Sequence, residues 1–289
     1  MRWEGERESS NVEDYRGGGG GGGFGLGGGT LSIGAIVIAL VGGAIFGINP
    51  LTILGLLSGG GGQVQQQAPA HQPPATDRTA KFASVVLANT EDVWTQVFAK
   101  GGATYQPTRL ALFEGAVRTG CGAGQSAMGP FYCPADSKVY IDLGFYRTLR
   151  DQLGAPGEFA QAYVIAHEVG HHVQHLLGIT DKVDQMRARS NQAQGNALSV
   201  RIELQADCFA GVWAHYSQES KHWLDPGDIE SALNAAQKIG DDTLQKSAGR
   251  AVVPESFTHG SSAQRQHWFQ AGYESGSVKR CDTFAARQL

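Results

Sequence analysis

The pattern of apolar and polar positions separates one uniformly apolar segment from the rest of the chain. Residues 31–57 contain no Asp, Glu, Lys or Arg, and a helix of about 20 such residues spans the hydrocarbon core of a bilayer. The segment therefore predicts one transmembrane helix, which Asn49-Pro50 kinks or ends because proline lacks the donor N–H. A cleaved signal peptide is the alternative, but the segment is too long and begins only at residue 31.

The stretches on either side of the apolar segment lack the side chains that a folded core needs. Residues 1–30 are charged and then rich in glycine, and residues 58–78 are rich in Gly, Gln and Pro. Such compositions bury too little apolar surface to offset the entropy of ordering the chain. We predict a disordered cytoplasmic tail over residues 1–30 and a flexible linker over residues 58–78.

Residues 79–289 have the periodicities of a folded domain. Apolar side chains recur at helical spacing over residues 80–99, whereas residues 110–117 and 139–143 are rich in the β-branched and apolar residues typical of strands. The last third of the chain has mostly helical patterns. The sequence predicts a mainly helical α+β domain with a small β-sheet, preceded by the transmembrane helix.

Charge limits the partners and orients the chain. The net charge is −4 and the basic residues form no stripe, so the electrostatic route to nucleic-acid binding is absent and we expect no such partner. Arg2, Arg7 and Arg16 precede the apolar segment, and the next basic residue is Arg78. The positive-inside rule then predicts a cytoplasmic N-terminus and a domain on the periplasmic or extracellular side of the cell membrane.

The four cysteines all follow the apolar segment, and none forms a Cys-x-x-Cys motif. An oxidising location favours disulfides over free buried thiols, which are the alternative. We expect Cys121 to pair with Cys133, closing a short Gly-rich loop, and Cys208 to pair with Cys281, joining a helix to the C-terminal tail.

One segment carries the pattern of a zinc site, His167-Glu168-Val169-Gly170-His171. Residues four apart on a helix project from nearly the same face, so both imidazoles can reach one metal ion. Glu168 is the candidate general base for a zinc-activated water. A His-rich amphipathic helix is the alternative, but a glutamate buried between two histidines is unfavourable without a cation or another partner.

The motif does not continue as a metzincin motif. That family would have glycine and histidine where Gln174 and Leu177 stand, so it is excluded. His175 lies two turns beyond His167 on the same helix, too far to bind the same ion, and is expected to be structural or exposed.

A catalytic zinc usually has three protein ligands. Residues 201–207, RIELQAD, contain the candidates for the third. Glu203 and Asp207 share one helix face among apolar neighbours. One carboxylate can bind zinc while the other accepts a hydrogen bond from a ligand histidine and fixes its tautomer.

Residues 79–284 resemble the bacterial neutral zinc metallopeptidase family. The passages that carry the resemblance are GCGAGQSAMGPFYCPADSKVYIDLGFY (120–146), AHEVGHHVQ (166–174), ELQADCFAG (203–211) and HGSSAQRQHWF (259–269). The Glu-x-x-Ala-Asp element is also similar to that of gluzincins such as the zinc-dependent CAAX prenyl endopeptidase. The resemblance implies a zincin-like domain that binds Zn²⁺, with Glu203 as the third ligand and Asp207 behind a ligand histidine.

The resemblance also suggests where a substrate binds. In gluzincins a downstream histidine stabilises the oxyanion, and His259 is the candidate for that role, with Arg265 as a candidate support. A loop histidine of no consequence is the alternative. By analogy with other zincins, residues 139–143 are expected to be the edge strand that binds an extended polypeptide substrate.

Three functions are compatible with these patterns. The leading hypothesis is a membrane-anchored zinc endopeptidase that acts on polypeptides outside the cytoplasm. A membrane-tethered binding or scaffold module is the second, but its structural zinc would usually have four Cys and His ligands. Deformylase-like hydrolysis is the third, and it would use a cysteine ligand, for which Cys121 and Cys208 are the candidates.

Overall fold

Helices make up most of the described part of the chain. The computed structural model describes residues 1–17, 70–126 and 129–289. Within these ranges the helices are α1 (Arg78–Lys100), α2 (Gly144–Asp151), α3 (Glu158–Leu176), α4 (Ile179–Arg187), α5 (Gln192–Lys221), α6 (Asp228–Lys238), α7 (Asp241–Ser247) and α8 (Ser262–Ser275), with 3₁₀ turns at Pro254–Ser256 and Val278–Cys281. The strands are β1 (Val12–Asp14), β2 (Arg109–Phe113), β3 (Ala116–Thr119), β4 (Gly122–Gln125), β5 (Phe131–Cys133) and β6 (Lys138–Asp142). The expected mainly helical α+β fold is confirmed.

Two of the helices that build the site begin at capping boxes. The Asn191 side chain accepts a hydrogen bond from the Gln194 N–H at the start of α5, and the Gln194 side chain accepts one from the Asn191 N–H. Ser261 and Gln264 form the same reciprocal pair at the start of α8. Each box satisfies N–H groups that a helix leaves unpaired at its first turn, so it fixes the residue at which the helix starts.

The sheet corrects two sequence expectations. Its order is β1-β2-β6-β5, with β6 parallel to β2 and antiparallel to β5, while β3 and β4 form a separate hairpin. The expectation that residues 139–143 form an edge strand is wrong, because β6 is paired on both sides and β5 is the outer strand beside it. The predicted strand 110–117 is divided into β2 and β3 at Gly115, whose φ of 74° interrupts strand geometry.

The N-terminal residues contradict the expectation of a disordered tail. Met1–Asp14 and Ala70–Leu289 belong to one folded body. β1 pairs with β2, and the side chain of Trp3 is only 2% exposed. The charged residues, which suggested a solvated tail, instead pair with the domain, as when Arg7 donates hydrogen bonds to Glu91. Residues 18–30 lie outside the described residues.

The apolar segment 31–57, for which a transmembrane helix is expected, also lies outside the described residues. Among the helices that the structure describes, none is both long and apolar enough to span a membrane. The linker expected over 58–78 is described only from residue 70, where His71 already exchanges two backbone hydrogen bonds with Asp14. The folded body therefore begins before residue 79.

Both expected disulfides are confirmed. Cys121, in the turn of the β3–β4 hairpin, is bonded to Cys133 on β5. Cys208 on α5 is bonded to Cys281 in the last 3₁₀ turn, across 73 residues of sequence. The second bond closes the longer loop and so removes more conformational freedom from the unfolded chain.

Two glycines allow α5 and α8 to cross with their backbones in contact. A Cβ atom on Gly211 would lie 2.0 Å from the Phe269 carbonyl oxygen, and one on Gly272 would lie 2.0 Å from the Cys208 carbonyl oxygen. No side chain larger than hydrogen fits at either position without separating the helices. The crossing brings Arg265 of α8 to α5.

We predict that Gly211→Ala lowers the free energy of unfolding by about 3 kcal/mol, because a methyl group at this crossing overpacks it. The matched control is Gly195→Ala in the same helix, where an added Cβ would meet no atom within 4 Å. That change is expected to be neutral or to stabilise by up to about 1 kcal/mol. Denaturant unfolding followed by circular dichroism measures both, and a neutral Gly211→Ala would contradict the close crossing.

Candidate metal centre

Helices α3 and α5 bring three possible metal ligands together. His167 and His171 project from α3, and Glu203 faces them from α5; their ligand atoms all lie within 4.8 Å of one another. The Glu203 carboxylate oxygens lie 3.2 Å from His167 Nε2 and 3.5 Å from His171 Nε2. A tetrahedral zinc with bonds of about 2.0–2.1 Å places neighbouring ligand atoms about 3.3 Å apart, and the two carboxylate–imidazole distances are close to this value.

The close approach of the two helices depends on a small residue in each motif. Gly170, between the two histidines, faces Ala206, between Glu203 and Asp207. A Cβ atom on Gly170 would lie 3.0 Å from the Ala206 carbonyl oxygen and 3.2 Å from its Cα. The Gly and Ala of the two motifs therefore set the distance between the helices that the ligands bridge.

Each histidine is oriented by a partner on its other ring nitrogen. His167 Nδ1 donates to Asp207, whose carboxylate oxygen is 2.8 Å away, as the sequence led us to expect. His171 Nδ1 lies 2.8 Å from Gln174 Oε1. The Gln174 amide nitrogen donates to the Ile202 carbonyl oxygen at 2.6 Å, so its oxygen must face His171. Both imidazoles thus carry the proton on Nδ1 and leave Nε2 free for a metal ion.

Gln174 was not recognised as part of the site from the sequence. Its position three residues after His171 places it on the same helix face, which is the one signal that indicates it. The side chain is fully buried, and its hydrogen bonds join the metal-binding turn of α3 to the backbone of α5.

Asp207 is the centre of a buried polar network. It also accepts hydrogen bonds from Tyr163 Oη at 2.5 Å and from Arg265 Nε and Nη2 at 2.8 and 3.0 Å. Burial alone would raise the pKa of Asp207, but the Arg265 guanidinium and His167 lower it to about 2. Tyr163 was missed in the sequence, and Arg265 supports Asp207 rather than the expected His259.

The electrostatics of the three ligands favour positive charge between them. Burial opposes a charged His167, yet the Asp207 and Glu203 carboxylates raise its pKa to about 10. The pKa of His171 is also raised, against its burial, by Glu203. Although burial disfavours its ionised form, the pKa of Glu203 is lowered well below its usual value by the two histidines. The cluster therefore binds protons strongly, and a metal ion would take their place.

Glu168 lies beside the ligands and is buried. Its pKa is raised, first by burial and also by the Glu203 carboxylate, while His167 and His171 oppose the rise. A carboxylate with a raised pKa is a stronger base than one in water. This is the property that a general base in this position needs.

His259 lies in the loop before α8, outside the ligand set, with a side chain 51% exposed. Its Nδ1 is 3.1 Å from Asp241 Oδ1, and Asp241 also accepts the backbone N–H groups of His259 and its neighbours. The hydrogen bond to Asp241 raises the pKa of His259, and the Glu203 carboxylate contributes to the rise. Asp241, which sequence reasoning missed, therefore orients a histidine within electrostatic reach of the ligand cluster.

His172 and His175, the other two histidines of α3, hold the outer strand β5 against this helix. Tyr132 Oη on β5 lies 3.0 Å from His172 Nδ1 and 2.7 Å from His175 Nδ1. His172 Nε2 donates to the Gln106 carbonyl oxygen at 2.7 Å, so its Nδ1 accepts the Tyr132 hydroxyl proton. His175 has a structural role, as expected, and β5 is held against the metal-binding helix.

One family model and several bacterial relatives match this chain. The family model described as "Putative neutral zinc metallopeptidase" matches residues 1–284. The Escherichia coli (strain K12) protein described as "Uncharacterized protein YpfJ" is 55% identical over 98% of this chain and 99% of that protein. The Mycobacterium tuberculosis (strain H37Rv) "Uncharacterized protein Rv2575" is 47% identical over 64% of this chain and 65% of its own length. No solved structure matches the chain.

We predict that Gln174→Ala weakens zinc binding by about 10- to 100-fold, because His171 loses the acceptor that fixes its tautomer and orientation. Zinc affinity is measured by competition with a chromogenic chelator. The matched control is His175→Ala at the next residue, which contacts Tyr132 rather than a ligand and is expected to bind zinc as tightly as the unchanged protein. Equal affinities for all three proteins would contradict the role of Gln174.

Proposed function

We propose that this chain, which belongs to the neutral zinc metallopeptidase family, is a membrane-anchored endopeptidase that uses zinc to hydrolyse peptide bonds. The observation that carries the proposal is the convergence of His167, His171 and Glu203 beside the buried carboxylate of Glu168. The His, His, Glu donor set is one that catalytic zinc uses, whereas structural zinc is usually held by four Cys and His ligands. This difference disfavours a scaffold with structural zinc.

Zinc bound by these residues would lower the pKa of a coordinated water and polarise the substrate carbonyl. Glu168 supplies the proton transfers. Its carboxylate accepts a proton as water attacks the peptide carbonyl, and the resulting carboxylic acid donates that proton to the leaving amine. The raised pKa of Glu168 supports both steps, because the carboxyl group must hold the proton between them.

His259 is the proposed donor to the oxyanion that develops on the attacked carbonyl. Asp241 accepts from Nδ1 and leaves Nε2 as the nitrogen that can face a substrate. The raised pKa of His259 favours the protonated ring, which is the better donor to a negative oxygen.

The substrate that fits this arrangement is an extended polypeptide. β5 is the outer strand beside β6, and Tyr132 attaches it to α3 through His172 and His175. A peptide pairing with this edge would bind through main-chain hydrogen bonds, with little dependence on its sequence. The proposed substrate strand is therefore β5, in place of the strand 139–143 expected from the sequence.

Deformylase-like chemistry with a cysteine ligand receives no support. Cys121 and Cys208, its two candidates, are both in disulfides and offer no thiolate. The disulfides also support the proposal that the domain lies on the oxidising side of the cell membrane. The proposed anchor is the apolar segment 31–57.

We predict that Glu168→Gln retains zinc and lowers peptide hydrolysis by about 10³-fold, because the amide cannot take up the proton. His167→Ala is expected to lose both zinc and activity. Atomic absorption measures the zinc content of each variant. Cleavage of denatured casein by the purified full chain measures its activity. Glu230→Gln, an exposed position on α6, is the matched control and should leave both unchanged. Equal zinc loss in Glu168→Gln and His167→Ala would contradict the assigned roles.

We further predict that His259→Ala lowers kcat by about 10²- to 10³-fold with KM and zinc content little changed, because the donor acts on the transition state. The exposed His267→Ala on α8 serves as the control. Steady-state kinetics on a peptide identified from casein cleavage distinguish the two variants. A change in KM alone would show that His259 binds substrate instead.

A further inference from the structure

The N-terminal segment Met1–Asp14 is built into the folded body through a strand and a buried indole. β1 pairs in parallel with β2, with Val12 opposite Leu110 and Asp14 opposite Leu112. The Trp3 ring packs edge-on against Phe82 of α1, and its indole N–H donates to Glu158 at 2.9 Å. These are contacts of a folded core rather than of a tail adsorbed on the surface.

Polar contacts attach the same segment to α1. Arg7 donates to Glu91 at 3.1 Å and to Asp92 at 2.7 Å. The other Glu91 oxygen accepts hydrogen bonds from Ser9 at 2.5 Å and Asn11 at 2.8 Å. Glu91 is only 8% exposed. Removing the N-terminal segment would leave its carboxylate without these three donor side chains, and a buried charge requires such partners.

The chain leaves and re-enters this body at a single place. The Asp14 N–H donates to the His71 carbonyl oxygen at 2.8 Å, and the His71 N–H donates to the Asp14 carbonyl oxygen at 3.0 Å. The two residues that flank 15–70 are therefore hydrogen-bonded to each other. A single membrane crossing between them would hold them about 30 Å apart, on opposite faces of the hydrocarbon core.

We infer that residues 1–14 and 70–289 lie on the same side of the membrane, so that the apolar segment 31–57 does not connect them by a single crossing. This arrangement replaces the cytoplasmic N-terminus expected from the positive-inside rule. Of the three arginines on which that expectation relied, Arg2 is paired with Asp225, and Arg7 is paired with Glu91 and Asp92. Arg2 and Arg7 therefore compensate carboxylates of the folded body. The inference does not depend on the proposed peptidase activity.

Cysteine labelling of the full chain in cells tests the inference. The four native cysteines are all in disulfides, so a membrane-impermeant maleimide reports on introduced cysteines. Ser10→Cys and Lys182→Cys place one exposed thiol in the N-terminal segment and one on α4. We expect the two positions to label alike, either both in intact cells or both only after permeabilisation. Labelling of one in intact cells and of the other only after permeabilisation would overturn the inference.

A stability measurement tests the packing on which the inference rests. Trp3→Ala in the purified full chain is expected to lower Tm by about 10 °C, as for other buried aromatic side chains in a domain of this size. Ser10→Ala, an exposed neighbour, should leave Tm unchanged. An unchanged Tm for Trp3→Ala would show that the segment is not part of the core, and the inference would fail even if both thiols label alike.

Discussion

The buried carboxylate of Asp207 holds the three helices of the site in register. It is fully buried and accepts hydrogen bonds from Tyr163 and His167 on α3 and from Arg265 on α8. A buried charge is tolerated only when it is paired and hydrogen-bonded, so a shift of either helix against α5 would leave the carboxylate partly unpaired. The same carboxylate fixes the positions of two metal ligands. His167 is hydrogen-bonded to Asp207, and Glu203 lies one helical turn before Asp207 on α5.

The sequence predicted the parts of the site whose geometry depends on residues of a single helix. The spacing of His167 and His171 follows from helical periodicity, as does the pairing of Glu203 with Asp207 on one face. Tyr163 and Arg265 were not predicted in their roles, because each meets Asp207 from another helix. Tyr163 does so where Gly170 lets α3 approach α5, and Arg265 does so where Gly211 and Gly272 let α8 cross α5. Asp241 meets His259 from another element in the same way. A local sequence pattern does not reveal contacts between residues that are far apart in the sequence.

Two of the fold expectations that were wrong have the same cause. The strand at residues 138–142 was identified, but its neighbours were not, since sheet order depends on long-range pairing and not on the strand's own residues. The N-terminal residues have the composition of a solvated tail, yet Glu91 on α1 provides a buried acceptor for Arg7, Ser9 and Asn11. A charged segment is ordered when the domain presents matching charges, which composition alone does not reveal.

Charge balance explains why this cluster suits a divalent cation. The buried carboxylates of Glu168 and Asp207 and the partly buried carboxylate of Glu203 are opposed by one buried guanidinium, that of Arg265, which leaves two negative charges uncompensated. Without a metal, protons on His167 and His171 compensate them, which is why the pKa of each histidine is raised despite burial. A zinc ion supplies the same two positive charges while both imidazoles are neutral and Glu168 stays ionised. A monovalent ion would supply only one of these charges and would require one imidazole to stay protonated, so the arrangement favours a dication when both imidazoles act as ligands.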